Sequence, residues 1–240
     1  IRDDREPDFT RYKKFFKGKG KKIDCSVHAF ACPKAPIRIK KNWPGAKFLI
    51  CVREPFSRTI SHWKMIRETE KDIHSGADWS DFENAWQDPR LCKDSLYGEC
   101  FQNWISEFPR SSFLIIDAKQ LREEPEKSMQ MVCEHLEIEN YEFDFDKISN
   151  SNKAEDRKKP TSFNRKLMAF SSKIPNFLKM PIAFPLKILG INIYNSKALT
   201  STPDSAEVDA KKAQEIMSAK VIADIQLFES LSGNSYQHWR

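Results

Sequence analysis

Five apolar residues, Phe48-Leu-Ile-Cys-Val52, run without a polar break into Arg53, and Pro55 follows two positions later. An apolar run of this length without alternation predicts a strand covered on both faces, as in a parallel sheet flanked by helices. Proline suits the first position of a helix, because its missing N–H would be unpaired there anyway. Pro55 therefore predicts a helix over residues 55–68. Strand, tight turn and helix in that order make an α/β unit, with Arg53 at the carboxyl end of a parallel strand. Open α/β sheets take their ligands at that edge. Ser61 lies about two helical turns further on, with a hydroxyl able to face the same ligand. An arginine fork with a hydroxyl suits a terminal phosphate. A surface arginine on an ordinary strand–loop–helix unit satisfies the same local pattern.

Elsewhere the chain alternates helical and extended signals. Phe9, Tyr12, Phe15 and Phe16 predict a short aromatic helix, and residues 33–42 a second one. Lys17-Gly-Lys-Gly-Lys-Lys22 reads as a basic solvent loop, since no apolar strand feeds it. Residues 69–95 are polar, with Trp79, Phe82 and Trp86 spaced as one helical face that attaches the segment to a core. A helix over 96–108, a strand over 112–117 and a helix from Glu123-Glu-Pro125 to 136 follow. The last carries Met129, Val132, Cys133 and Leu136 at helical spacing. Asn150 to Arg165 reads as a surface loop, and Phe177 to Tyr194 as an apolar lid. That stretch is too rich in proline and lysine for a spanning helix, although it leaves an interfacial membrane segment as a remote alternative. Pro203-Asp204-Ser205 offers a start for a last amphipathic helix to about 231.

At 240 residues the expectation is one domain over 1–240, with a variable lid or insertion at about 150–205. The 17 Phe and 6 Trp supply core volume. A net charge of +6 suits an anionic ligand. Neither a helix-turn-helix nor a zinc module nor an RNP-type strand is visible, so nucleic acid is not expected as a partner. Cys51 and Cys133 sit in apolar patterns and are expected to be buried thiols. Cys25 with Cys32, or Cys92 with Cys100, could pair in an oxidising compartment, and the spacing does not choose. The cysteines and histidines lack zinc-site spacing, and no metal is expected.

Arg53 to Ser61, in the form R-x-P-x-x-R-x-x-S after an apolar strand, resembles the 3′-phosphate-binding segment of sulfotransferases that use 3′-phosphoadenosine 5′-phosphosulfate (PAPS). The likeness is to the carbohydrate branch, which includes heparan sulfate sulfotransferases. Other segments resemble the family in the same order. These are Arg5-Glu-Pro-Asp-Phe9; Ala35 to Arg38 with Trp43 to Lys47; Tyr97, Phe101, Trp104 and Phe108-Pro109; Phe113 to Asp117; Leu121 with Pro125; and Leu227 to Gly233 with Trp239. The likeness covers roughly residues 5–147 and 215–240. It implies a P-loop-NTPase-like parallel sheet flanked by helices, the sulfotransferase fold. It also implies transfer of a sulfuryl group from PAPS to a hydroxyl or amine of an acceptor, which is a glycan or a small alcohol or amine. By the same resemblance Arg53 and Ser61 grip the 3′-phosphate and Glu6 is the general base on the acceptor. Lys158 and Lys159 stand in for a basic cofactor-binding element, and no metal is needed.

The departures are specific. The family's K-x-G-T-T phosphosulfate loop and the strand before it do not occur in these 240 residues, and Cys25 stands where the family has an active-site lysine. A fragment and a degenerate homologue both account for the missing loop, and the start at Ile1 favours the fragment. Degeneration motivates the rival reading of a non-catalytic homologue that binds a nucleotide or a sulfated glycan. A kinase-like phosphotransferase ranks below both, for want of a Walker loop and a magnesium-binding acid. Compartment stays open: bacterial-type relatives are cytoplasmic, and animal glycan enzymes work in the Golgi lumen.

Overall fold

The computed structural model describes residues 7–145, 158–175, 200–202 and 206–240. Two compact units divide the chain. Ile1–Arg58, Trp86–Phe143 and Gln214–Arg240 form one; Thr59–Ala85 and Asp144–Ala213 form the other.

The first unit is built on two parallel strands, β1 (Phe48–Val52) and β2 (Phe113–Asp117), paired from Phe48 opposite Phe113 to Val52 opposite Asp117. Parallel neighbours need a long crossover, and here the chain supplies it with helices. The helices of this unit are α1 (Phe9–Lys13) and α2 (Ala35–Asn42) before β1, α6 (Pro89–Cys92) and α7 (Tyr97–Ile105) ahead of β2, and α8 (Ala118–Glu123) and α9 (Pro125–Leu136) after it. Helix α3 (Pro55–Glu68) starts here directly after β1, and α11 (Ala210–Ser232) contributes most of its length.

One face of the sheet is packed with aromatics. Phe48 stacks on Phe113 at 4.9 Å and meets Phe108 and Trp104 edge-on at 4.7 and 4.9 Å. Phe101 and Phe228 continue the cluster. The other face of β1 is not covered as expected. Leu49 is 43% exposed and Cys51 is exposed, because alternate side chains point to opposite faces and only one face meets this cluster. Cys51 is thus an exposed thiol, whereas Cys133 is buried as expected; all six cysteines are free in this structure.

Helix α11 ends at Gly233, whose φ of +71° is the left-handed conformation that terminates helices. The Arg110 guanidinium then holds the free carbonyl of Ser232 from Nε and Nη2, at 2.9 and 2.6 Å. At the other end of the helix the cap is Asp209, which accepts the N–H groups of Lys211 and Lys212. The start expected at Pro203-Asp204-Ser205 is therefore wrong by several residues. Both places carry a capping residue, and the helix uses the later one.

In the middle of α11, Asp224 faces the N-terminus of α7. Its carboxylate accepts the N–H groups of Gly98 and Glu99, both at 2.8 Å. Helix N-termini leave such donors without intrahelical partners. Here the missing cap comes from a distant helix. Glycine is required at 98 for this approach, since a Cβ there would lie 2.6 Å from the Asp224 carbonyl oxygen and 2.9 Å from Oδ1. Burial pushes Asp224 up to about 6, against the pull of the two N–H donors.

The second unit holds α4 (Lys71–His74), α5 (Phe82–Gln87), which ends beyond it, α10 (Ser162–Lys173), and a short antiparallel ribbon. The ribbon pairs β3 (Lys159–Pro160) with β4 (Thr200–Ser201). Trp63 is buried against Phe82 and donates from Nε1 to the Trp79 carbonyl at 2.9 Å. Trp79, Phe82 and Trp86 are all buried, in keeping with core attachment. They do not share a helical face, because Trp79 precedes α5. The surface loop expected up to Arg165 gives way to helix at Ser162, where the Thr161 hydroxyl accepts the Asn164 N–H. The apolar lid expected at 177–194 lies outside the described residues. Among the described residues no helix is long and apolar enough to cross a membrane.

Two measurements test the Asp224 contact. Gly98→Ala should lower stability by about 1–3 kcal/mol, the cost of forcing atoms into a packed contact, read as a shifted urea midpoint at unchanged slope. The folded-state carboxyl of Asp224 titrates above its ordinary value of 3.8. Its contribution is therefore full below about pH 4 and is lost as pH rises through about 6, on the order of 3 kcal/mol in total. Asp224→Asn should remove that part of the pH slope. Denaturation curves at successive pH values, wild type beside variant, read the difference.

Candidate functional site

The carboxyl end of β1 is fixed by main-chain bonds. The buried Tyr97 hydroxyl donates to the Arg53 carbonyl at 2.9 Å and accepts, at 3.4 Å, the Arg53 N–H. Burial pushes the Tyr97 phenol up to about 12, so it stays protonated. Its ring packs against Phe228 and Trp239, with centroids at 5.7 and 5.9 Å. Tyr97 is thus part of the core packing as well as a partner of the Arg53 main chain. Its grip on the arginine turn had no signal in the sequence.

With its backbone held at both polar groups, Arg53 itself is exposed. Among the described residues its guanidinium has no hydrogen-bond or ion-pair partner. Arg58, five residues on, is committed elsewhere. It donates to the Ser95 hydroxyl at 2.8 Å and lies 3.8 Å from the Asp94 carboxylate.

Glu54 was not read from the sequence as a functional neighbour, yet it decides what the helix can offer. Its carboxylate accepts the N–H groups of Phe56 and Ser57, each at 2.7 Å, and so caps α3 beside the N-terminal Pro55. A bare helix N-terminus attracts anions through these donors. Here the protein's own carboxylate holds two of them, so those two donors are not open to an outside anion.

Asp117 marks the same edge on the neighbouring strand, opposite Val52. Its carboxylate accepts the Lys119 N–H at 2.7 Å and Trp239 Nε1–H at 3.0 Å, and pairs with His238 Nε2 at 2.8 Å. The edge of the parallel pair thus carries Arg53 and the half-exposed His238 imidazole. Sequence reasoning missed the second, since nothing local links residue 117 to residue 238.

The remaining candidates divide between the two units. Arg53 belongs to the first unit, whereas Ser61, Lys158 and Lys159 belong to the second. Ser61 is half-buried on α3, and its hydroxyl bonds no other described residue. Lys158 is exposed, and Lys159 stands in β3 opposite Ser201. Glu6 lies outside the described residues. Cys25 is an exposed free thiol. Among the described residues no group of His, Cys, Asp and Glu is arranged to hold a metal ion.

Comparison with known proteins agrees with this architecture. Residues 35–177 match the sulfotransferase domain family. Over 125 residues the chain is 30% identical to heparan sulfate glucosamine 3-O-sulfotransferase 5 of Mus musculus, covering 48% of this chain and 36% of that protein. Over 126 residues it is 29% identical to the bifunctional heparan sulfate N-deacetylase/N-sulfotransferase 1 of Homo sapiens, covering 48% and 14% respectively. The match therefore spans 36% of the length of the first of these relatives and 14% of the second. A crystal structure of a sulfotransferase from Alicyclobacillus acidocaldarius superposes with a TM-score of 0.52 at 15% identity, over 100% of this chain and 75% of that one, which establishes a shared fold. With well over half of its length inside the family match, and a parallel α/β sheet whose edge presents an arginine, the chain belongs to the sulfotransferase domain family.

Proposed function

We propose that this chain acts in PAPS-dependent transfer of a sulfuryl group to a hydroxyl or amine of a carbohydrate. The observation that carries the reading is Arg53, a cation with a fixed backbone at the carboxyl end of a parallel strand, its guanidinium unpaired among the described residues. An arginine fork held in this way has the geometry for a phosphate dianion and forfeits no internal salt bridge on binding one. The relatives named above support a glycan acceptor, since both are named for heparan sulfate.

The bound nucleotide supplies the activated sulfuryl group and a phosphate leaving group. The chain's own residues position it and handle the proton. Arg53 takes the 3′-phosphate, with the free Ser61 hydroxyl as its second contact, and both act by orientation rather than bond chemistry. Lys158 and Lys159 add positive charge for the nucleotide. Glu6 accepts the proton from the acceptor hydroxyl or amine. Tyr97 is a positioning residue, acting only through the Arg53 main chain.

A second reading has one observation in its favour. Cys25 is an exposed thiol where the resemblance puts a lysine. On that reading the chain binds a phosphorylated nucleotide or a sulfated glycan without transferring anything. Incubation with sulfur-labelled PAPS and oligosaccharide acceptors separates the two: label on the glycan supports the transferase, and nucleotide binding without transfer supports the binder.

Calorimetric titration with 3′-phosphoadenosine 5′-phosphate tests the site itself. Wild type should bind, and Arg53→Ala should weaken binding by about 2 kcal/mol, roughly 30-fold. Equal affinities would remove Arg53 from the site. Tyr97→Phe keeps the ring packing and loses the clamp. It should cost about 1 kcal/mol of stability and lower nucleotide affinity several-fold in the same titration, whereas a purely structural tyrosine would move only the stability.

A further inference from the structure

Residues 11–22 hold seven lysines and arginines and no acid. The structure gives this segment an apolar component as well. Helix α1 packs one aromatic side onto Trp43, with Phe9 and Tyr12 at 5.4 and 5.6 Å from its ring and Phe16 at 5.0 Å from Tyr12. Phe15 is left 75% exposed. The Tyr12 hydroxyl hydrogen-bonds the Asp24 carboxylate, which ties the following segment to α1, and the neighbouring Ile23 is 65% exposed. Asp24 also accepts the Ser26 N–H at 2.6 Å, and the exposed Val27 belongs to that turn.

The charges around these side chains are largely uncommitted. Among the described residues the side chains of Arg11, Lys14, Lys17 and Lys19 have no partner. Lys22 turns back onto the carbonyls of Gly18 and Gly20 at 3.1 and 2.8 Å. Those glycines have φ of +88° and +104°, which shapes the loop around the lysine. Arg11, Lys13, Lys14, Phe15, Phe16 and Lys17 line an open concavity of about 640 Å³.

We propose that residues 11–27 form a docking surface for an anionic membrane. The unpaired cations meet lipid headgroups, and Phe15 and Ile23 enter the boundary with the acyl chains. Charge complementarity selects an anionic partner. The exposed aromatic and aliphatic side chains select lipid over a soluble polyanion, because a phosphorylated or sulfated polymer offers them no apolar environment, whereas the membrane interface does. Among the described residues no hydrogen bond or ion pair joins this surface to Arg53.

Co-sedimentation of the full chain with vesicles tests this. Phosphatidylcholine vesicles containing phosphatidylserine should bind it, pure phosphatidylcholine vesicles should not, and salt should weaken the binding. Lys14→Glu, Lys17→Glu and Lys19→Glu together should weaken binding by about tenfold or more. Phe15→Ser with Ile23→Ser should also weaken it by about tenfold. All five positions are exposed, so unchanged unfolding midpoints check that each variant is folded. The proposal is overturned by failure to bind phosphatidylserine vesicles, or by binding indifferent to Phe15 and Ile23. Capture of dextran sulfate without vesicle binding would assign the surface to a soluble polyanion instead. A dimer in light scattering that the Phe15/Ile23 variant abolishes would assign it to a second copy of the chain.

Discussion

A carboxylate held over the start of a helix organises the first unit. Asp224 meets the N–H groups of Gly98 and Glu99, and this fixes α7 against α11 at backbone distance. Helix α7 carries Tyr97, Phe101 and Trp104, which reach the Arg53 turn, the aromatic cluster and the Phe30 carbonyl respectively. A shift of α7 along its axis would move all three together. The absence of a Cβ at position 98 therefore bears on where Arg53 sits, although the two residues share no contact in the hydrogen-bond pattern. Burial raises the Asp224 carboxyl while the two donors oppose the rise, so the cap holds a titratable group under tension between desolvation and hydrogen bonding.

The two charged residues of the Arg53-Glu-Pro55 turn have opposite duties. Glu54 is consumed by the helix, while Arg53 is exposed and has no side-chain partner among the described residues. Their adjacency does not make them an ion pair, because the carboxylate already accepts two main-chain donors in good geometry. An N-terminal carboxylate of this kind stabilises the helix and also lowers its attraction for an external anion. The turn therefore offers fewer bare amides than sites where a glycine-rich loop exposes them.

Much of this arrangement was legible in the sequence. Phe48 to Val52, Pro55, Phe113 to Asp117 and Pro125 each announce an element locally, and each element lies where those signals put it. The place of Arg53 at the end of the strand followed from the apolar run before it and the proline after it. Its support was not legible, because the groups that hold it are far away in sequence: Tyr97 is 44 residues from Arg53, and Asp224 is 126 from Gly98. The same limit hid Asp117 with His238 and Trp239. Burial of β1 was misjudged for a different reason. An apolar run reports that no polar side chain occurs, not that both faces are packed, and Leu49 and Cys51 are the residues that show it. The late start of α11 reflects competition between two capping sequences, which only the folded chain decides.

The distance between Gly98 and Asp224 has a bearing on how the protein is made. At translation rates of about 5–20 residues per second, the 126 residues that separate them take roughly 6–25 s to add. Strand pairing between β1 and β2 is open to the nascent chain well before that. The cap on α7 is not, nor is the stacking of Tyr236 and Trp239 behind Tyr97. On the ribosome the arginine turn therefore exists for seconds without its final support. Its order is conferred by a segment that emerges much later.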